Sequence, residues 1–599
     1  MKLTRLYSNQ AELFLPVQFN EQLSVVLAEI RRTENKGKTI HNIGKSTIAR
    51  LVDFCLLKGK SQKFFLFKHS DLFSEFTFFL ELNLEDGRYL TIARSVEATK
   101  PISILVTDYD VPDAKDVNTS EWSHIGLGMA PAKRLLDGLF DFSSISPYDY
   151  RDILGYVLRE QDDYGEVFHL GKFKGPHREW KPFLAKLLGL DDSLTISLYE
   201  ETDKEAKVDA SISIYQLESG LTDKTDTAKI EGIIGIRKRE LEEIQSTLDS
   251  LDFTRADSEA SQELVEHVEE QISIKNEESY RLSQLAARLD DSLREESILF
   301  SPKQAKKLFA EAGIAFDGQI KHDFEQLIQF NRAISQERRE YLLKEKSDTA
   351  ARLSELGPEL ADLQLQRADL LSFLGNSATM EKFKDISNQV VELRAGISSL
   401  ERQRDALNEV VRLRQEKRQI QERESQLQTA IEQDVRRCAE DPSSRYSEIQ
   451  RYFDKIIYDV LDEHALLSVD PSPTGALEFS AEIVSPAGST TSASRGFTFK
   501  KLLCIAFDLA VLRSYRFDKF PRFSYHDGVF ESLEPRAKRR LISVFREYAE
   551  LGLQPIITTL DSDLPDPVDS SDEAISSSEI VRRLHDDGKE GRLFRIDSF

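Results

Sequence analysis

Two periods of apolar residues divide the chain into three zones. In the first, LSVVLAEI (23–30) is a continuous apolar run of the length of a buried strand. KFFLFKH, FTFFLELNL and YLTIARSV, between 63 and 96, are short, aromatic and β-branched, and EDG at 85–87 supplies a hairpin turn between two of them. MAPAKRLLDGLF and YRDILGYVLRE then carry helical spacing. So does WKPFLAKLLGLDDSL (180–194), which closes on a Gly-Leu-Asp-Asp stop. Residues 1–225 therefore read as a mixed α/β lobe.

From 226 to 440 the period changes. Leu241, Ile244, Leu248 and Leu251 are spaced 3, 4, 3, as are Leu353, Leu356, Leu360 and Leu363. Leu282, Leu285 and Leu289 repeat the pattern, and Phe383, Ile386, Val390, Leu393, Ile397 and Leu400 sustain it. Charged and amide residues fill the gaps, which makes this the a/d seam of a coiled coil. Proline and glycine interrupt it at 299–316, Gly357-Pro358 interrupts a later seam, and LGNSATMEKF brings a break near 374–380. An antiparallel hairpin that leaves the globular part and returns fits this pattern.

Residues 441–599 turn globular again. ALEFSAEIV alternates like a strand, FKKLLCIAFDLAVLRSY (499–515) is an apolar helix, and RFSYHDG is a short strand ending in an acid. PRAKRRLISVFREYAELG (535–552) is a helix, QPIITTL (554–560) a buried strand, and RLFRID a final short strand after a polar loop.

Composition narrows the function classes. Asp and Glu outnumber Lys and Arg by 104 to 80, for a formal net charge of −24. Such a chain has no overall attraction for nucleic acid, so a DNA contact needs a local basic patch. Candidates are 172–181, 303–307 and RAKRR at 536–540, the last reading as a solvated face. Cys55, Cys438 and Cys504 are far apart and form no CxxC pair, which argues against a disulfide framework or a cysteine zinc site and for a reducing compartment. No apolar run reaches the roughly 18 residues of a membrane span, and MKLTRLYSNQ lacks a signal-peptide core. The expectation is a cytoplasmic chain with no membrane partner.

The chemistry centres on TIHNIGKSTIAR (39–50). Gly44-Lys45-Ser46-Thr47 has the ending of a phosphate-binding loop. There, backbone N–H groups at a helix N-terminus cradle phosphates, the lysine neutralises β/γ oxygens, and the hydroxyl reaches Mg²⁺. The pattern wants glycine five places earlier, where Thr39 stands. Asn42, Gly44, Lys45, Ser46 and Thr47 are the nucleotide-binding candidates. Alone, the motif reads equally well as a chance GKST at a helix start.

Three later segments complete a series. Ser494-Arg495-Gly496 precedes a long apolar helix, Asp527 ends the strand FSYH, and Leu533-Glu534 stands just before another helix. In order and spacing these resemble the SMC, RecN and RecF group of ABC-type ATPases: phosphate loop, coiled coil, signature, Walker B, D-loop and end strand. MKLTRLYSN, NIGKST, DDYGEVFHLGKFKG, WKPFLAKLLGLD and HDG also resemble a bacterial family known mainly as a domain of unknown function, whose members often sit in anti-phage operons. The resemblance spans essentially the whole chain. It implies an α/β fold, an ABC-type (P-loop) ATPase head assembled from N- and C-terminal lobes, with a long antiparallel coiled-coil insertion. It implies ATP and Mg²⁺ as cofactors, with Ser46 and Asp527 on the metal. It also implies a homodimer in which Ser494 and Gly496 of one head face ATP held by the other. The partners implied are defence-operon proteins supplying an effector or nuclease, and double-stranded DNA.

The chain departs from that pattern where hydrolysis is decided. Gly528 stands where the water-orienting glutamate belongs, and Leu560 where the histidine that senses the γ-phosphate belongs. Glu531, one turn past Gly528, and Asp561, one past Leu560, are the candidate replacements beside Asp527 for catalysis, and each reads also as a solvated loop acid. Gln161 is a candidate Q-loop glutamine or a surface residue, and Arg94 a candidate phosphate contact. His526 should face away from Asp527. Three functions stay open: a slow ATP-dependent DNA sensor or clamp in defence, a non-hydrolysing scaffold, and a RecF/RecN-like repair ATPase.

Overall fold

The computed structural model describes residues 1–32, 44–97, 101–171, 175–219, 227–249, 258–294, 319–372, 378–484, 496–565 and 574–596. The chain divides into two units: residues 1–200 with 423–599, and residues 201–422.

The first unit holds two large sheets. One is antiparallel, in the order β2-β1-β4-β5-β6-β7, from β1 (Lys2–Ser8), β2 (Val17–Gln18), β4 (Thr77–Asn83), β5 (Tyr89–Ser95), β6 (Ile102–Thr107) and β7 (His124–Leu127). The other is parallel throughout, in the order β13-β3-β12-β11-β8. It is built from β3 (Ser24–Glu29), β8 (Leu158–Arg159), β11 (Phe523–His526), β12 (Gln554–Leu560) and β13 (Ile580–His585). Parallel sheets bury both faces, so their strands read as unbroken apolar runs. SVVLAE and QPIITTL fit that rule, and both are buried along almost their whole length.

Helix α1 (Lys45–Cys55) packs against strands of both sheets. It is followed by the one-turn helices α2 (Phe65–Lys68) and α3 (Ser70–Phe73), then α4 (Met129–Phe140), α5 (Tyr150–Val157) and α6 (His177–Leu187). Helix α7 (Asp192–Ser219) runs out of the first unit into the second, which contains α8 (Thr227–Asp249), α9 (Ser258–Arg294), α10 (Gln319–Ser372) and most of α11 (Ala378–Glu440). The first unit resumes at Arg423 in the last part of α11 and continues with α12 (Arg445–Leu461), the hairpin β9 (His464–Pro471) and β10 (Leu477–Val484), α13 (Phe497–Ser514) and α14 (Pro535–Glu550). Helix α13 is buried along most of its length, from Leu502 through Leu512, which is why its sequence is apolar all round. All three cysteines are free and buried. No helix among the described residues is long and apolar enough to cross a membrane.

The second unit is richer than a simple hairpin. Val208 and Ile212 of α7, Ile230 and Ile234 of α8, and Leu407, Val410 and Leu413 of α11 share one apolar cluster. Farther along, Val268 and Ile272 of α9 meet Val391 of α11 and Leu360, Leu363 and Leu370 of α10. The ion pair Lys238–Glu401 (2.6 Å) sets α8 beside α11, and Lys275–Glu359 (2.5 Å) and Arg352–Glu278 (2.8 Å) set α9 antiparallel to α10. Three helices thus share each seam where two were expected. The a/d spacing is blind to this, because any neighbour that covers the apolar stripe satisfies it.

Other expectations need correction. KFFLFKH holds the one-turn helix α2 rather than a strand: its phenylalanines pack in an aromatic cluster about Phe54 and Phe594. YRDILGYVLRE leaves the helix at Val157 and ends as strand β8. Gly357 and Pro358 lie inside α10, which runs through them unbroken. RLFRID contributes one isolated bridge, Phe14 to Phe594, and the last strand is IVRRLH, paired with β3. The break at 299–316 lies outside the described residues, as does the start of the break near 374–380, whose end, 378–380, already belongs to α11.

Candidate active site

The carboxyl ends of the parallel strands converge on the start of α1, the usual place for ligands in an open α/β sheet. Gly44 is the residue before α1, with φ +102°, and a Cβ built there would lie 2.7 Å from Cβ of Leu593. Both the left-handed backbone and the close approach demand glycine. Lys45, Ser46 and Thr47 form the first turn, whose amides carry no side-chain cap. Such a turn is an anion site by geometry. Tyr525 of β11 reaches up and donates its hydroxyl to the Lys45 carbonyl (3.2 Å), fixing the helix start over the sheet. Asn42 and Ser494 lie outside the described residues.

Asp527 follows β11 and is fully buried. The register His526 to Ile557 puts it beside Thr558 of β12. The Thr558 hydroxyl donates to Asp527 Oδ1 and accepts from the Gly528 amide (3.0 Å). Asp527 Oδ2 has no hydrogen-bond partner among the described residues. A buried carboxylate oxygen left open is costly unless something cationic meets it. Mg²⁺ typically takes one or two carboxylates and keeps its other positions for water and phosphate. The open Asp527 Oδ2 fits that demand for a carboxylate, and among the described residues no larger cluster of acids, cysteines or histidines is disposed to hold a metal.

Gly528 is the informative position. Its φ is +65°, and a Cβ there would come within 2.6 Å of Gln161 Nε2 and 2.9 Å of Glu531 Oε1. The space a side chain at 528 would take is filled by these two groups. Gln161 Nε2 donates to Glu531 Oε1 (2.7 Å), and Lys45 Nζ lies 3.9 Å from the same oxygen. Gln161 opens a short turn (Gln161–Gly165) held to α1 through Glu160, which accepts from Arg50 (2.8 Å). Ser532 adopts φ +67°, so left-handed residues bracket the Glu531 turn. Non-glycine residues reach that region only at a cost of about 1–2 kcal/mol.

Burial pushes the Glu531 carboxyl above the usual range, Asp563 and Asp527 add to this, and Lys45 and Lys501 oppose it. Lys501 of α13 is almost fully buried, and burial pulls its ammonium down. The sequence pointed to neither Lys501 nor Asp563. Lys501 stands beside Lys500 in an apolar helix, and nothing in the spacing separates the buried lysine from the partly exposed one. Asp563 sits in a 3-10 turn (Asp561–Asp563), whose three-residue period turns it inward while Asp561 is exposed. Asp563 Oδ2 is buried without a partner among the described residues, so it, rather than Asp561, is the loop acid that meets the cluster.

Two further expectations resolve. Arg94 donates to the Phe54 and Lys58 carbonyls at the far end of α1 from Lys45, satisfying helix-end carbonyls rather than phosphate. His526 faces away from Asp527 into a buried network: its Nε2 is 3.2 Å from Asp508 of α13, which also receives a two-pronged contact from Arg159 (2.7 and 2.9 Å). Gly496 is the exposed residue capping α13.

A family model described as an uncharacterised protein conserved in bacteria (DUF2326) matches residues 453–598, the segment that holds Asp527, Glu531 and Asp563. No curated protein matches the chain in sequence. The chain is similar to a solved Smc head domain with a coiled coil and joint derived from Pyrococcus yayanosii, at 17% identity, TM-score 0.34, over 93% of this chain and 92% of that one. It is similar to an Smc head domain with an extended coiled coil bound to the C-terminal domain of ScpA, derived from Pyrococcus furiosus, at 13% identity, TM-score 0.33, over 94% and 90%. A SmcHead bound to the C-winged helix domain of ScpA matches 20% of this chain and 36% of its own, at 22% identity and TM-score 0.17.

Proposed function

We propose that this chain binds ATP with Mg²⁺ and hydrolyses it slowly, using Glu531 in place of a glutamate at 528. The observation that carries the reading is the pairing of Gln161 with Glu531 in the space above Gly528, within reach of Lys45. Lys45 and the α1 amides hold the β- and γ-phosphates. Ser46 and Asp527 would hold the cation, whose contribution when bound would be charge neutralisation at the phosphates. Glu531 orients the attacking water and accepts its proton, and Gln161 holds Glu531 in place. Three acids, Asp527, Glu531 and Asp563, face two ammonium groups, Lys45 and Lys501. That excess of negative charge suits a bound divalent cation.

On this reading two heads close on two ATP molecules, with Ser494 and Gly496, which precede α13 in sequence, facing the partner head's phosphate. The arm carries the closed state to duplex DNA or to a partner protein of a defence system. Paired measurements of ATP binding and turnover, with and without duplex DNA, test it. Lys45→Ala is expected to weaken ATP binding by about 30-fold or more, since removing one member of a buried charged contact costs about 2–5 kcal/mol, and to abolish ATP-dependent dimers. Dimers indifferent to Lys45→Ala refute the sandwich. Gly528→Glu, which restores the residue type the resemblance expects, should lower turnover rather than raise it, because its side chain displaces Gln161 and Glu531. A gain in turnover would show that Glu531 is a bystander.

A further inference from the structure

Lys501 lies in the second turn of α13 and is 1% exposed. Its ammonium donates to the carbonyls of Gly528 (2.9 Å) and Glu531 (3.2 Å). These carbonyls bracket the turn that presents the Glu531 side chain. The ring of Tyr164 lies 5.5 Å from the ammonium. The charges facing it are Glu531, Asp563 and Asp527, which attract, and Lys45, which repels. A buried ammonium is expensive, and packing alone would be better served by an apolar side chain. Its neighbours Leu502, Leu503 and Ile505 show what packing selects on this helix.

We propose that Lys501 is a positioning residue that couples the N-terminal end of α13 to Glu531. The proposal rests on the reading that this site hydrolyses ATP and that Gly496 meets a second head. Gly496 and Lys501 are five residues apart, about 7.5 Å of rigid helix. A shift of the first turn of α13 carries the ammonium with it, and the ammonium carries both carbonyls of the turn. The turn has left-handed residues at Gly528 and Ser532, so its shape depends on such anchors. Engagement at Gly496 thereby sets where the Glu531 carboxylate stands, and an unengaged head hydrolyses poorly.

The test compares full-length wild type, Lys501→Met and Lys501→Arg. Lys501→Met should lower kcat by about 10²-fold, the loss that follows a misplacement of about 1 Å in a catalytic group, with KM and ATP affinity unchanged. Lys501→Arg, which keeps the charge and the donors, should recover much of the loss. Hydrogen exchange gives a readout independent of turnover: ATP should protect the 528–533 amides in wild type and not in Lys501→Met, while α1 stays protected in both. An unchanged kcat, a parallel loss of ATP affinity, or an arginine variant no better than methionine overturns the proposal. So does exchange over 528–533 that is the same in wild type and Lys501→Met. A wild type that binds ATP without turnover defeats the hydrolysis reading alone, and the exchange comparison then decides the coupling.

Discussion

Glu531→Gln is expected to cut ATP turnover by about 10²–10⁴-fold, the contribution typical of a positioned general base, while ATP binding and ATP-dependent dimerisation persist. Glutamine keeps the shape and the contact with Gln161 but cannot take a proton. Single-turnover kinetics with equilibrium nucleotide binding would separate the two effects, and unchanged turnover removes Glu531 from the mechanism. The pH profile adds an independent check. Burial and the facing acids Asp563 and Asp527 raise the Glu531 carboxyl against the pull of Lys45 and Lys501. A base must be ionised to act, so wild-type turnover falls as pH drops through that raised value, and the acid limb lies above the ordinary glutamate range. Stability runs the other way. A carboxyl whose folded value is raised favours the folded state at low pH, and this contribution is lost as pH rises through the folded value. Glu531→Gln, neutral throughout, removes the loss. At alkaline pH the variant should be no less stable than wild type, which separates lost chemistry from lost folding.

Asp508→Ala is expected to destabilise the first unit by about 3–5 kcal/mol, the cost of breaking a buried ion pair from one side. Arg159 and Asp508 are both fully buried, with two guanidinium–carboxylate hydrogen bonds between them. Removing the carboxylate strands the guanidinium, which still meets the carbonyls of Asp163, Glu166 and Val167 but has no counter-charge there. The denaturation midpoint in urea reads the effect. The double variant Arg159→Met/Asp508→Leu should recover much of it, because apolar replacements of a buried pair are often neutral. A double variant as unstable as the single one would mean that the backbone contacts of Arg159, not the ion pair, hold the region together.

How much of this was legible in the sequence depends on the kind of signal. Buried parallel strands announce themselves: LSVVLAEI and QPIITTL are apolar on both faces, and both are where the pattern puts them. KFFLFKH misleads because its aromatics suit either a strand or a helical turn, and only the phenylalanine cluster around Phe54 decides. In the site, Lys45 and Asp527 were visible through motif order. Glu531 was visible only as one option, because what raises it above a loop acid is the space over Gly528, and that space exists only once residue 161 is folded against residue 531. Asp563 and Lys501 were beyond reach, since neither a 3-10 phase nor the far side of a buried helix leaves a periodic trace.

The parallel sheet also has a history written into its order. Strand β3 is made early, yet its two neighbours, β12 and β13, come from the far end of the chain. Some five hundred residues separate β3 from β12, so at about 5–20 residues per second a ribosome needs roughly 25–100 s to deliver the first partner. For that interval an apolar strand with two open edges must be kept from pairing with other nascent chains. The helices that intervene are rich in local contacts and fold quickly, so the second unit can form before the parallel sheet of the first has its last strands.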